Sequence, residues 1–313
     1  MRTRRNTLQW LLPPGLLLAA GAALWARRTL TLGGVVRELT TAKEALTEHL
    51  RLTTTAKELL ESELRAASEI QLGLLPKILP QCPNRSEFQL HGMIKSAREI
   101  GGDLYDFFWI DEHRFFFMIG DVSEKGSPAG MLMAVTKTLM KSHVLPHVSL
   151  CEALARVNDT LAANNESLMF VTVFCGILDV RTGELECCDG GHNEPCLLLC
   201  EAPATMLKKK TGIALGFLPG FQFQSQMITL KPGDGLLLYT DGITEAMNTA
   251  RDQYTEARLR ATLTAMIGAA PRDLVQAVWN DVKGFIAEAP QSDDIAMLAV
   301  RYQGRPTVEV VDA

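Results

Sequence analysis

Residues 101–130 read GGDLYDFFWIDEHRFFFMIGDVSEKGSPAG, and the fold follows from how this stretch doubles back on itself. Residues 105–110 and 114–119 are runs of aromatic and branched side chains separated by Asp111-Glu112-His113, a pattern that favours two antiparallel strands joined by a tight turn. Pairing them carries Asp103 and Asp121 to the same end of the hairpin. Each aspartate stands beside glycine, in Gly101-Gly102-Asp103 and Gly120-Asp121, where the missing side chain lets backbone approach a ligand closely. A Gly-Asp pair alone is ordinary turn chemistry. Two carboxylates brought together, however, repel unless a cation joins them.

The pattern recurs towards the C-terminus. Lys231-Pro232-Gly233-Asp234-Gly235 is a turn, residues 236–239 form a short apolar strand, and Thr240-Asp241-Gly242 leaves that strand with another exposed carboxylate. Gln291-Ser292-Asp293-Asp294 then precedes a last apolar strand at 295–300. No Cys/His pair has zinc spacing, so a site made from these groups is hard and all-oxygen, suited to Mg²⁺ or Mn²⁺.

Taken in order, GGDLYDF, GDVSEKGSPAGMLMA, GGHNEP, PGDGLLLYTDGITEAMN and SDDIAMLAV resemble the blocks of the metal-dependent (PPM) serine/threonine protein phosphatases, and more narrowly the bacterial SpoIIE/RsbU-type branch. The resemblance covers residues 69–301, and the ordered set is far more specific than any one block. It implies a two-ion site in which Asp121 bridges both ions, Val122 offers its backbone carbonyl, Asp241 and Asp293 complete one ion's sphere, and Asp103 helps to hold the other. Asp294 is a further metal-ligand candidate. Two ions about 3.5–4 Å apart can deprotonate a bridging water, which then attacks phosphorus in line without a protein nucleophile.

The resemblance also implies a phosphoserine/phosphothreonine phosphatase acting on a small phosphorylated regulator, such as an anti-sigma-factor antagonist. A catalytically weak pseudophosphatase serving as a binding module and a small-molecule phosphohydrolase are the alternatives. Two residues depart from the family pattern. Glu124 stands where a glycine is usual, which puts the backbone beside Asp121 in question, and Ala296 replaces a usual hydroxyl residue. Ser123 stands near where the eukaryotic branch carries a histidine. His192 within GGHNEP is read as structural, since a lone histidine lacks ligand partners, and Arg98, a candidate phosphate clamp by charge and position, is read first as a solvated arginine.

The remaining elements place this hairpin in an α+β fold. Strands are expected at 88–94, 169–179, 183–188 and 195–199, and helices at 127–143, opened by Ser127-Pro128 as cap and first-turn proline, 150–163, 256–267 and 271–287. Hairpins interleaved with paired helices imply a layered α+β domain. The family resemblance sharpens this to an αββα sandwich of two antiparallel sheets flanked by helices, assigned to residues 80–303, with a tail at 304–313.

Upstream, residues 6–26 are uncharged and fenced by arginines. The apolar part from Trp10 to Trp25 spans about 24 Å as a helix, against a bilayer core of roughly 30 Å, and interfacial tryptophans can extend it. A single membrane anchor at 1–33 with a cytoplasmic catalytic part is the expectation. A cleaved signal peptide and, because Pro13-Pro14 interrupts the segment, a peripheral or hydrophobic helical hairpin are the alternatives. From Val36 to Leu74 apolar residues follow a seven-residue repeat, Val36, Leu50 and Leu64 in one seam and Leu39, Leu46, Leu60, Ala67 and Leu74 in the other. This predicts a coiled-coil linker at 34–79 and a homodimer, with Lys43, Thr53, Lys57 and Gln71 interrupting the seam and a solitary signalling helix as the alternative.

A formal net charge of −5 leaves no basic footprint for nucleic acid. Seven cysteines without framework spacing read as reduced thiols, and adjacent Cys187 and Cys188 in one strand are not expected to face inward together. Neither Cys82 nor Cys151 has a neighbouring base that would make it a nucleophile.

Overall fold

The computed structural model describes residues 14–76, 85–163, 165–208 and 210–304. Cys82, the start of the expected anchor and nearly all of the tail at 304–313 lie outside the described residues. The chain divides into a unit ending at Glu63 and a compact unit from Leu64 onward, a division that falls inside the expected linker.

The first helix, α1, is described from Pro14 to Leu74. In the first unit the side chains at Val36, Leu39, Leu46, Leu50 and Leu60 are exposed. Among the described residues no helix is long and apolar enough to cross a membrane.

Among its described residues the second unit has ten strands in two antiparallel sheets. The first sheet is built from β2 (Leu104–Trp109), β3 (Arg114–Val122), β4 (Val171–Asp179), β5 (Glu184–Gly190) and β8 (Ser225–Thr229), in the order β2-β3-β4-β5-β8. The second has β1 (Phe88–Lys95), β6 (Cys196–Leu198), β7 (Thr205–Met206), β9 (Gly235–Tyr239) and β10 (Ile295–Tyr302), in the order β1-β10-β9-β6-β7. Helices α2 (Ser127–His143) and α3 (Leu150–Ala162) cover the first sheet, and α4 (Thr255–Ala265) and α5 (Pro271–Ile286) cover the second. This is the expected αββα order of layers.

The stretch Arg114–Val122 shows why its residues are apolar in succession. Successive side chains of a strand point to opposite faces, and here both faces are covered. Phe115, Phe117 and Ile119 enter the core between the sheets beside Phe174, Leu236, Leu238 and Leu298. Phe116 and Met118 pack with Met133, Met140, Leu154 and Val157 of α2 and α3. The outer face of the second sheet is closed in the same way by Leu259, Leu263, Val275, Val278 and Val282. Full burial of one such side chain contributes roughly 1.5–3 kcal/mol.

Two-sided burial corrects the reading of the cysteine pair. Cys187 joins the core between the sheets and Cys188 the core beneath the helices, so both are about 1% exposed while pointing in opposite directions. The described cysteines are all free thiols, and burial raises the pKa of both Cys187 and Cys188, which removes them as nucleophiles. A second correction concerns α2. Its N-cap is Gly126, no side chain caps it, and Ser127 is already helical, so the proline sits in the first turn but the serine is not the cap.

Candidate metal centre

Antiparallel pairing gathers the acidic turns. In the first sheet Leu104 pairs with Gly120, so Asp103 just before β2 meets Asp121 near the end of β3. In the second sheet Met297 pairs with Tyr239, so Asp241 beyond β9 lies beside Asp293 and Asp294, which precede β10. The stacked sheets then bring the two pairs together. The Thr240 hydroxyl of the second sheet donates to Asp103 Oδ2 of the first at 2.7 Å, and the Ala296 N–H donates to the same hydroxyl at 2.8 Å. Thr240 therefore supplies a buried hydroxyl beside Ala296, the position that itself lacks one.

These acids are crowded. Asp103 is almost wholly buried, and burial together with Asp121 pushes its pKa well up. Asp121 is raised to about 7 by burial, then by the charges of Asp241 and Asp293. Asp241 is raised by burial, Glu245 and Asp293. Carboxylates forced up in this way share protons or accept a cation. Among the described residues no three Asp, Glu, His or Cys side chains are so arranged that they could hold a metal ion as they stand. The donor set nevertheless fits hard divalent ions, because it is all carboxylate and backbone oxygen. The Val122 carbonyl oxygen would lie 3.0 Å from a Cβ placed on Gly102, so glycine there keeps the backbone beside that oxygen clear.

Asp294 is held differently from the other candidates. Its Oδ1 accepts from the Ala97 N–H and its Oδ2 from the Gly102 N–H, each at 2.7 Å, so both oxygens brace the turn that carries Asp103. A Cβ on Gly101 would stand 2.6 Å from Asp294 Oδ2, and one on Gly242 only 1.8 Å from the Asp294 carbonyl oxygen. Both glycines are thus required by close approach. Arg98 is exposed on the surface.

His192 is a buried brace. Its backbone N–H donates to Asp189 Oδ1 at 3.0 Å, its Nε2 lies 3.1 Å from the Tyr239 carbonyl and its Nδ1 2.9 Å from the Thr172 hydroxyl. A carbonyl only accepts, so Nε2 carries a proton, while Nδ1 shares its hydrogen bond with the Thr172 hydroxyl, which also lies 3.3 Å from the Asp121 carbonyl oxygen. Thr172 is paired with Asp121 across β3 and β4, and Tyr239 is two residues before Asp241. The imidazole thus ties β4, the strand paired with the one that carries Asp121, to β9, which leads to Asp241.

Glu124 adopts a left-handed φ of 69°, so the backbone keeps a conformation suited to glycine although a side chain is present. Ser123 fastens this turn to the next strand: its N–H donates to the Phe170 carbonyl, and its Oγ accepts from the Phe170 N–H, both at 2.9 Å.

One residue of the site lies outside the five motif blocks. Gln71, in the last turns of α1, donates from Nε2 to the Gly101 carbonyl at 2.5 Å and accepts the Gly101 N–H at 3.3 Å. It also lies against Gly130 of α2, where a Cβ would meet Nε2 at 3.1 Å. Gln71 and Leu75 are buried and Leu64 and Ala67 half-buried, a stripe at helical spacing. The sequence shows Gln71 only as a polar break in the apolar repeat, and that break was the available signal.

Three comparisons bear on this geometry. The profile of the family described as Stage II sporulation protein E (SpoIIE) matches residues 111–303. Protein IcfG of Synechocystis is 29% identical over 265 residues, 76% of this chain and 41% of its own length. The phosphoserine phosphatase RsbU of Bacillus subtilis is 26% identical over 185 residues, 59% of this chain and 54% of its own. This chain thus spans about half the length of the curated relatives it matches. Among solved structures, the SiaA-PP2C domain of Pseudomonas aeruginosa superposes with a TM-score of 0.70 at 18% identity, over 79% of this chain and 99% of that domain. The chain belongs to the SpoIIE family, in the SpoIIE/RsbU-type branch of the PPM phosphatases.

Two outcomes follow. With divalent ions chelated, Asp121 is raised from 3.8 to about 7, so between those values the folded chain binds more protons than the unfolded one. Its contribution to stability is present below the unfolded value and is lost as pH rises through the folded one. Thermal melts of the chelated protein should therefore show a stability loss between about pH 4 and 7 that Asp121→Asn flattens; equal pH slopes in both proteins would contradict the crowding. Separately, Glu124→Gly should stabilise the chain by about 1 kcal/mol, because glycine adopts left-handed backbone without steric cost. Urea unfolding should show the higher midpoint for glycine and none for Glu124→Ala.

Proposed function

We propose that this member of the SpoIIE family is a divalent-ion-dependent phosphatase that removes phosphate from phosphoserine or phosphothreonine of a regulatory protein, such as an anti-sigma-factor antagonist. The observation that carries this reading is the crowding of Asp103, Asp121, Asp241 and Asp293 at one edge of the sandwich, with Asp121 raised to about 7. Such crowding is relieved by hard cations. The residues that would hold two ions, Mn²⁺ or Mg²⁺, are Asp121, the Val122 carbonyl, Asp241 and Asp293, with Asp103 in support. When bound, such a pair supplies Lewis acidity that activates water and neutralises phosphoryl charge.

The chain's own groups then have separable tasks. Thr240 orients Asp103 through its hydroxyl, Asp294 braces the Gly101–Asp103 turn, and His192 joins β4, the neighbour of the strand bearing Asp121, to β9, which leads to Asp241. Burial pushes the thiols of Cys175, Cys187, Cys188 and Cys196 up, which removes them as competing nucleophiles. The phosphoserine activity named for the relative RsbU supports a phosphoserine monoester as the substrate. The preserved backbone at Glu124 supports turnover over a purely binding role.

Two further parts of the proposal concern the N-terminal segment. The exposed seam of Val36, Leu39, Leu46, Leu50 and Leu60 supports pairing with a second copy of the chain. The apolar, arginine-fenced residues 10–25 support a membrane anchor, with the catalytic part in the cytoplasm. Light scattering of the purified chain and its partition between membrane and soluble fractions test these; a monomer, or a wholly soluble protein with its N-terminus intact, would remove the respective part.

For the catalytic reading the measurement is hydrolysis of a phosphoserine peptide by the full chain with and without Mn²⁺. Asp121→Asn and Asp241→Asn should each lower ion-stimulated turnover by more than about a hundredfold while leaving cooperative unfolding in place. Near-normal Mn²⁺-dependent turnover by either variant would refute the assignment.

A further inference from the structure

Lys125 lies in the turn between the bridging-acid candidate Asp121 and helix α2. Left-handed backbone on both sides of it, φ 69° at Glu124 and 83° at Gly126, folds the turn back so that the lysine meets a segment far away in sequence. Its Nζ lies 2.7 Å from Asp293 Oδ1 and donates to the Ser292 carbonyl at 2.9 Å. Asp293 Oδ1 also accepts the Asp294 N–H at 2.8 Å. The ammonium charge reaches Asp241 as well, where it opposes the upward pressure of the neighbouring acids. Lys125 and Asp293 keep about a third of their side-chain surface exposed, 31% and 37%, so a small ion can reach the pair from solvent.

We propose that Lys125 is the internal counter-cation of Asp293, a positive charge that a divalent ion must outcompete, and that it thereby sets the ion affinity of the site. The inference rests on the ion-binding reading given above, and it adds a residue that this reading does not use. The physical reason is Coulombic. A carboxylate already paired with an ammonium at salt-bridge distance attracts a second cation less strongly, and the incoming ion must break or share the existing contact. A lysine suits such a role because its ammonium is a compact point charge on a flexible stem, able to withdraw without disturbing the backbone. The same pair links the turn after β3 to the turn before β10, so the ion-free site keeps its two halves together.

The test is calorimetric titration of the full chain with Mn²⁺, which reads binding rather than turnover. Lys125→Met removes the charge and keeps a stem of similar bulk; Lys125→Arg keeps the charge. Because partly exposed ion pairs are weak, Lys125→Met should tighten Mn²⁺ binding by no more than about fivefold and by at least about twofold, with Lys125→Arg close to wild type. Thermal melts of all three proteins in chelator check that each is folded. Unchanged or weaker binding by Lys125→Met overturns the proposal, as does equal tightening by Lys125→Arg, which would show that charge is not the cause. If wild type and Asp121→Asn alike fail to bind Mn²⁺, the ion-binding reading itself falls, and this inference with it. Binding by wild type with no response to Lys125→Met removes the counter-cation alone.

Discussion

Mutual repulsion among carboxylates is the constraint around which the catalytic unit is arranged. Asp103, Asp121, Asp241 and Asp293 come from two different sheets, and in the unfolded chain nothing holds them near one another. Folding brings them together against their charge, which is why burial and neighbouring acids raise Asp121 to about 7. The opposing forces are visible as specific contacts: the Thr240 hydroxyl on Asp103, backbone N–H groups on Asp294, and the Lys125 ammonium on Asp293. The first two satisfy buried acids whose unpaired burial would be costly, and the third neutralises one that is partly exposed.

The sandwich makes this affordable because both faces of each sheet are buried. Phe117 and Phe116, adjacent in β3, enter two different cores, and the strand ends that bear the acids are thereby anchored on both sides. His192 adds a polar tie across the same region, satisfied at both ring nitrogens. A buried polar network with its members paired rigidifies its surroundings, and here those surroundings are the strands leading to Asp121 and Asp241.

The end of α1 belongs physically to the catalytic unit. Gln71 grips both backbone polar groups of Gly101, and Gly101 adjoins the Gly102 N–H that Asp294 holds. The helix is therefore connected to the Asp103 turn by an unbroken chain of hydrogen bonds and short backbone steps. A buried amide pair of this kind is directional, unlike the apolar contact of Leu75, so it specifies the rotation of the helix end as well as its closeness.

Much of this was legible in the chain itself. The runs 105–110 and 114–119, their intervening turn and the Gly-Asp boundaries are local patterns, and local patterns determine strand pairing and bring Asp103 to Asp121. The order of blocks pointed to the family, and the helices at 127–143 and 271–287 follow from apolar spacing with a first-turn proline. What only the tertiary structure decided depends on groups distant in sequence. The short strands β7 and β8 escaped notice because they are two and five residues long, and β8 is a polar edge strand with little periodic signal. Cys187 and Cys188 are both buried because a second sheet covers one face while helices cover the other. Asp294 turns to backbone N–H groups of residues 97 and 102, and Gln71 leaves the helical seam for Gly101, because those partners arrive only when the layers close. Spacing along a chain can say which residues share a strand end; which of them meets a backbone amide, an ammonium or another acid is settled by what packs against that end.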